Sequence, residues 1–403
     1  MPCLNDFRIL LKGKEYLPLM VGGMGVNIST AQLVLAIEKL GGIAHLSDAM
    51  LPVVTDRELG TQFTSERTKR LKFNIDNRDK TENVFELENI RKATMDYVSG
   101  VMEKSKGAGL VLINCMEKLT MNQSLETLKT RLNAALDAGI SGITLSAGLH
   151  LSSFKLMKDN PRFHDALLGI IVSSSRALNL FLKKSASTGR LPDYIVVEGP
   201  LAGGHLGFGD DWMNFSLENI VKDVKAFLAN AKLSIPVFAA GGIFSGSDAT
   251  HYVKDIGADG VQVATRFTVA QESGLPTPVK EAYLNSRAED VVVNHSSPTG
   301  YPMRMLKYSP SLSSEVKPNC ESYGYLLNHG SCQYLEEWQK RHNDGQEGLE
   351  KTKCCLCTHM RNFKVWTCGT TVSRLKEKAK KDQNGKWILP TAEEIWNDYR
   401  FGF

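Results

Sequence analysis

Residues 193–209 read DYIVVEGPLAGGHLGFG, an apolar run that stops at Glu198 and opens into a glycine-rich tip carrying a histidine. The run does not alternate, and continuous hydrophobicity is what a parallel strand covered on both faces requires. The same pattern returns in 235–246, IPVFAAGGIFSG, and in 258–267, ADGVQVATRF. Toward the amino end it recurs at LPLMV (17–21), GIAHL (42–46), GLVLIN (109–114), GITLS (142–146) and ALLGIIVS (166–173). Between these runs lie segments with helical spacing: TAQLVLAIEKLGG (30–42), ENIRKATMDYVSGVMEKSKGAG (88–109), SLETLKTRLNAALDAG (124–139) and SLENIVKDVKAFLANAK (216–232). Several close on Gly just before the next strand, as helix C-caps do. Eight strand–helix units over roughly 255 residues match the length of a closed (β/α)8 TIM barrel, an α/β fold. A doubly wound open sheet is the alternative, because periodicity does not show closure.

The rest of the chain fits one barrel with additions. The stretch 51–81, LPVVTDRELGTQFTSERTKRLKFNIDNRDKT, is long and charged for a connection after the second strand. It reads either as a lid or binding insertion or as a solvated excursion with a short hairpin at LKFNI. The strand–helix rhythm stops after residue 300, which divides the chain into a barrel, 1–306, and a partly helical extension, 307–403. Six of the eight cysteines, Cys320, Cys332, Cys354, Cys355, Cys357 and Cys368, lie in that extension. Their gaps of 12 and 22 residues before Cys354 are not those of a compact zinc module, so reduced packing or surface cysteines are expected rather than a metal. The basic run RLKEKAKK (374–381) reads as a solvated helix face.

Composition narrows the partners. Lys and Arg number 48 against 44 Asp and Glu, a net charge of +4 that is too small for a dedicated nucleic-acid surface. No run approaches the ~18 apolar residues of a membrane span, and the first twenty residues lack the plan of a secretory signal. A cytoplasmic chain without nucleic-acid or membrane partners is expected.

Chemistry in a barrel of this kind gathers at the carboxyl ends of the strands. Gly203 and Gly204, directly after the 193–198 run, let backbone N–H groups approach a ligand, and His205 follows. An imidazole serves as acid or base near neutrality, whereas the plain alternative is a glycine turn with an incidental histidine. Gly241 and Gly242 end the seventh run, and Thr265 follows the eighth; on adjacent final strands they suit a phosphate. Gly22 and Gly23, followed by Met24, leave room for a flat ring over the mouth. Asn114 offers an amide that both donates and accepts, and reads equally well as a turn residue.

The ordered set PLMVGGMG (18–25), LINCM (112–116), LSAG (145–148), EGPLAGGHLGFG (198–209), IPVFAAGGI (235–243), GVQVATRF (260–267) and SSPTGYPMR (296–304) resembles the nitronate monooxygenase family, formerly the 2-nitropropane dioxygenases. The same superfamily includes FMN-dependent enoyl-ACP reductases. The resemblance covers about residues 16–306 and implies a TIM barrel that binds FMN. It further implies that Met24 meets the flavin through its backbone, and that Asn114 and Glu198 border the ring or ribityl chain. Gly203, Gly242, Gln262, Val263, Ala264 and Thr265 would hold the ribityl and phosphate, and His205 aligns with the active-site histidine. Two residues depart from the pattern: Ala264 replaces a usual Gly, and Glu198 replaces a frequent Gln.

The activity expected from this resemblance is oxidation of alkyl nitronates or nitroalkanes by O2 to a carbonyl product and nitrite, with His205 as base. The alternatives are an NAD(P)H-dependent enoyl-thioester reductase on the same FMN barrel, and a noncatalytic barrel acting through protein contacts.

Overall fold

A computed structural model describes residues 2–71, 86–117, 123–318, 332–346 and 348–402. Eight parallel strands close into a barrel in chain order. They are β1 (Leu19–Val21), β2 (Ile43–Ser47), β3 (Leu110–Met116), β4 (Gly142–Ser146), β5 (Leu167–Val172), β6 (Tyr194–Glu198), β7 (Val237–Ala240) and β8 (Gly260–Val263). Closure is made by β8 on β1, where Val261 pairs with Leu19 and Val263 with Val21. That pairing excludes the open doubly wound sheet.

Successive side chains of a strand point to opposite faces, so each barrel strand divides its residues between interior and helix layer. The interior set is Met20, Ile43, Leu112, Leu167, Tyr194, Val196, Phe238 and Ala240, packed as one cluster. The alternate residues, such as Leu19, Ala44, Val111, Ile113, Ile195, Val197 and Val261, join a larger core beneath the helices. The helix Ala31–Lys39 shows how that layer forms. The hydroxyl of Thr30 accepts the Leu33 N–H at 3.0 Å and starts the helix, and its inner face buries Leu33, Val34 and Ile37. Each such side chain contributes about 1.5–3 kcal/mol of burial, so Leu33→Asp would dislodge the helix.

The two ends of the barrel differ. A hairpin, Ile9–Leu11 with Lys14–Tyr16, places Ile9, Leu11 and Tyr16 in the interior cluster at the amino end. The carboxyl end has no such apolar plug within that cluster, and it is there that the interior parity continues into Gly22, Asn114, Glu198 and Gln262.

Of the segment 51–81, residues Leu51–Leu59 and Ser65–Leu71 are helical, while the rest of the LKFNI stretch lies outside the described residues. The chain beyond residue 306 returns to the barrel. Its helix Ala392–Phe401 buries Ile395, Trp396 and Tyr399 in the main core, and the Arg266–Asp398 ion pair ties it to the turn after β8. The 374–381 stretch is a 3-10 turn to Lys378 followed by an exposed two-residue strand, Lys380–Lys381. Cys354, Cys355, Cys357 and Cys368 are buried, and burial pushes the thiols of Cys354 and Cys368 up to about 12. Cys320 lies outside the described residues. Among the described residues no cluster of His, Cys, Asp or Glu is placed to hold a metal ion, and no helix is long and apolar enough to cross a membrane.

Candidate active site

The tips of β1, β3 and β8 meet at the mouth. The Gly22 N–H donates to the Val263 carbonyl at 2.9 Å, joining the first tip to the last. A Cβ on Gly22 would stand 3.2 Å from the Gln262 amide carbon, and one on Gly23 would stand 2.4 Å from the Asn114 Cβ. Glycine at 23 is therefore a condition for Asn114 to reach the mouth. Met24 turns its backbone away to Ser29, donating its N–H to the hydroxyl at 2.9 Å and accepting the Ser29 N–H at 3.0 Å.

Several polar groups at this level have no partner among the described residues. Gln262 is 9% exposed, and its Oε1 accepts from none of them. Asn114 accepts from the Ser146 hydroxyl, while its Nδ2 donates to no described residue. Glu198 lies across the β6–β7 pair from Ala240 and has no ion pair or hydrogen bond among the described residues; burial alone pushes its carboxyl up to about 7. An unmade hydrogen bond on a buried group such as Gln262 Oε1 costs roughly 1–3 kcal/mol, and with the Asn114 amide and the half-buried Glu198 beside the same opening it points to something that completes them.

The glycine tips are of two kinds. Gly204, Gly241 and Gly242 have φ of +78°, +99° and +93°, values that a side chain would strain. Gly203 faces another part of the chain: its missing Cβ would fall 2.4 Å from the carbonyl carbon of Cys368. Val263 contributes backbone only, since its side chain belongs to the core under the helices. Ala264 leads into the turn Thr265–Val269, and the Thr265 hydroxyl makes no hydrogen bond to a described residue.

His205 sits on the rim in a two-residue strand, Gly204–His205, paired antiparallel with Met303–Leu306. Arg304, 1% exposed, pins the preceding loop by donating to the carbonyls of Pro200 and Ala202 at 2.6 Å. His205 Nε2 lies 2.7 Å from the hydroxyl of the fully buried Ser297, which lies 2.8 Å from the Thr299 hydroxyl. Its Nδ1 has no partner among the described residues. Burial lowers the imidazole to about 4, so the ring is neutral at physiological pH. A neutral ring with one nitrogen held and the other unengaged is competent as a base. Its polar contact runs to Ser297 and not to the Asn114–Gln262 group. Ser297 and the extension residues beside Gly203 were not singled out from sequence. Ser297 stands in the SSPTGYPMR motif, which is the signal that could have found it.

The nitronate monooxygenase family model matches residues 9–324. The chain belongs to the nitronate monooxygenase family. It is 33% identical over 138 residues to the (3aS,4S,5R,7aS)-5-hydroxy-7a-methyl-1-oxo-octahydro-1H-indene-4-carboxyl-CoA dehydrogenase of Rhodococcus jostii (strain RHA1), covering 34% of this chain and 35% of that protein. It is 36% identical over 108 residues to a probable nitronate monooxygenase of Staphylococcus aureus (strain JH9), covering 25% of this chain and 28% of that one. These matches thus span about a third of the relatives' own length. In fold, this member of the family is similar to the nitroalkane oxidase of Streptomyces ansochromogenes, with a TM-score of 0.58 and 14% identity over 95% of this chain and 94% of that one.

Proposed function

We propose that this family member is a flavin-dependent oxidoreductase that oxidises alkyl nitronates or nitroalkanes with O2 to a carbonyl product and nitrite. The observation that carries this reading is the neutral imidazole of His205, fixed through Nε2 by Ser297 and unengaged at Nδ1. It stands on the loop leading out of a mouth whose Gln262 Oε1, Asn114 Nδ2 and Glu198 carboxyl await partners.

FMN suits that mouth. Gln262 and Asn114 offer an unpaired acceptor and an unpaired donor for a polar ring edge or ribityl hydroxyl. The Gly241 and Gly242 tips present backbone without side chains, and Thr265 at the tip of the adjacent strand adds a hydroxyl, as a phosphate needs. When bound, FMN would supply the electron acceptor that the side chains here lack. Glu198, whose carboxyl is half protonated near pH 7, presents below that pH a neutral donor and acceptor in place of the amide of relatives with Gln.

His205 removes the α-proton of a neutral nitroalkane. When Ser297 donates to Thr299, its oxygen accepts from His205 Nε2–H and the lone pair stands on Nδ1, the atom that takes the proton. A nitronate has already lost that proton, so for it the same ring serves to orient. The test is anaerobic addition of a nitronate, NADH or NADPH to the FMN-loaded protein, followed by flavin absorbance. Bleaching by nitronate alone is expected. Bleaching by a nicotinamide, with consumption on adding an enoyl thioester, would point instead to the reductase reading, toward which the match to a protein named for a CoA thioester leans.

A further inference from the structure

The extension reaches the same mouth through residues 366–370. Four contacts hold this segment in place. The Leu306 N–H donates to the Trp366 carbonyl at 3.0 Å, the Tyr283 hydroxyl to the Thr367 carbonyl at 2.8 Å, and the Thr370 N–H to the Leu201 carbonyl at 3.2 Å. Cys368, 4% exposed, packs with Phe244, Val372 and Leu375. Between these anchors lies Gly369, with φ −73° and ψ 167°, a conformation open to any residue. Backbone freedom therefore gives no reason for glycine here. Close approach does: a Cβ at 369 would stand 2.9 Å from the Thr265 hydroxyl, 3.2 Å from the Leu201 carbonyl and 3.7 Å from the Gly203 nitrogen. Seen from the other side, a Cβ on Gly203 would lie 2.5 Å from the Gly369 nitrogen.

Gly203, Thr265 and Gly369 thus converge from β6, β8 and the extension. Gly369 is buried, Gly203 exposed and Thr265 half-buried, and neither glycine N–H nor the Thr265 hydroxyl donates to any described residue. A buried backbone donor such as that of Gly369 is nearly always satisfied, and with the Gly203 N–H and the Thr265 hydroxyl beside it the three donors face the opening as an anion requires. A positive charge stands behind it. Arg304, held by the carbonyls of Pro200 and Ala202, keeps a buried Nη2 with no acceptor among the described residues.

We propose that Gly369 is a binding residue for the phosphate of the cofactor, so that the extension completes an anion cradle begun by Gly203 and Thr265. This rests on the FMN reading above. The barrel loops would then grip the flavin by its ring and ribityl chain and begin the hold on its terminal phosphate, and the extension would complete that hold.

The test compares FMN with riboflavin, which lacks the phosphate, by equilibrium titration of flavin fluorescence against the full chain, wild type and Gly369→Ala, with the thermal midpoint of each apoprotein recorded alongside. The added methyl crowds Thr265 and shields the N–H. FMN dissociation is expected to weaken by about tenfold or more while riboflavin changes less than about twofold. Thr265→Val, which keeps shape and deletes the hydroxyl, should do the same in smaller measure. Equal losses for both flavins would show that Gly369 acts through packing and would overturn the proposal, as would unchanged FMN affinity. Wild-type protein that binds neither flavin would contradict the cofactor reading itself, a result separate from a failure confined to Gly369.

Discussion

The barrel interior holds two polar layers, one near the middle on β2, β4 and β6 and one at the mouth on β3, β6 and β8, and they are built oppositely. In the middle layer every proton has a destination. His45 Nδ1–H donates to the Val21 carbonyl at 2.7 Å, Thr144 donates to His45 Nε2 at 2.6 Å, and Tyr194 donates to the Thr144 oxygen. Burial keeps His45 neutral, at about 4, which fits a ring whose two nitrogens donate once and accept once. At the mouth, Gln262 Oε1, Asn114 Nδ2 and the Glu198 carboxyl have no partner among the described residues. A network completed in one layer and left incomplete in the next is what the proposed cofactor site requires. The comparison also separates two histidines: the buried His45 is locked at both nitrogens, the half-buried His205 at one.

The sharpest way to break the comparison is at that unlocked nitrogen. His205→Ala should reduce turnover of a neutral nitroalkane by about 10²–10⁴-fold, the usual share of general base catalysis, with FMN affinity unchanged by fluorescence titration. Loss confined to the nitroalkane, with the nitronate still oxidised, is the signature of a base. In the middle layer the expected effect is on stability alone. Thr144→Val leaves both His45 Nε2 and the Tyr194 hydroxyl unpaired and should lower unfolding stability by about 2–4 kcal/mol in urea, with flavin affinity intact.

Glu198 gives an effect with a distinctive pH sign. Its carboxyl titrates near 7 in the folded chain against an ordinary 4.5, so the folded state keeps a proton that the unfolded state releases between those values. The resulting destabilisation is absent below 4.5, grows through the interval and is complete above 7. In the apoprotein Glu198→Gln should therefore stabilise by ~2 kcal/mol at pH 8 and by almost nothing at pH 4.5, read as unfolding midpoints across pH. The smallest expected change is Ser297→Ala. Freed at Nε2, His205 keeps its chemistry but loses its orientation, so kcat for the nitroalkane should fall about tenfold while KM and nitronate turnover hold.

The barrel was legible because its strands are covered on both faces and therefore read as continuous apolar runs. All eight runs became strands, most with ends moved by one or two residues, as where Pro18 or Pro236 opens the run and where the third strand continues to Met116. The mouth was legible where a glycine is demanded by backbone conformation or sits beside a chemical side chain, as at Gly241, Gly242 and His205. It was not legible at Ser297, which approaches His205 across an antiparallel pairing separated by 92 residues. Nor was it legible at Gly369, whose ordinary φ leaves no local trace of the contact that requires it. The pairing of His45 with Thr144 and Tyr194 was hidden for a related reason: each is a polar residue within a largely apolar run, and only barrel closure brings the three together.

The contrast between a completed layer and an incomplete one rests on a ligand filling the second. Stoichiometric titration of the purified apoprotein with FMN, followed by quenching of flavin fluorescence, measures this directly. Saturation at one FMN per chain, weakened in Gln262→Leu and untouched in Thr144→Val, is the expected result. No saturable binding, or equal weakening by both substitutions, would contradict it.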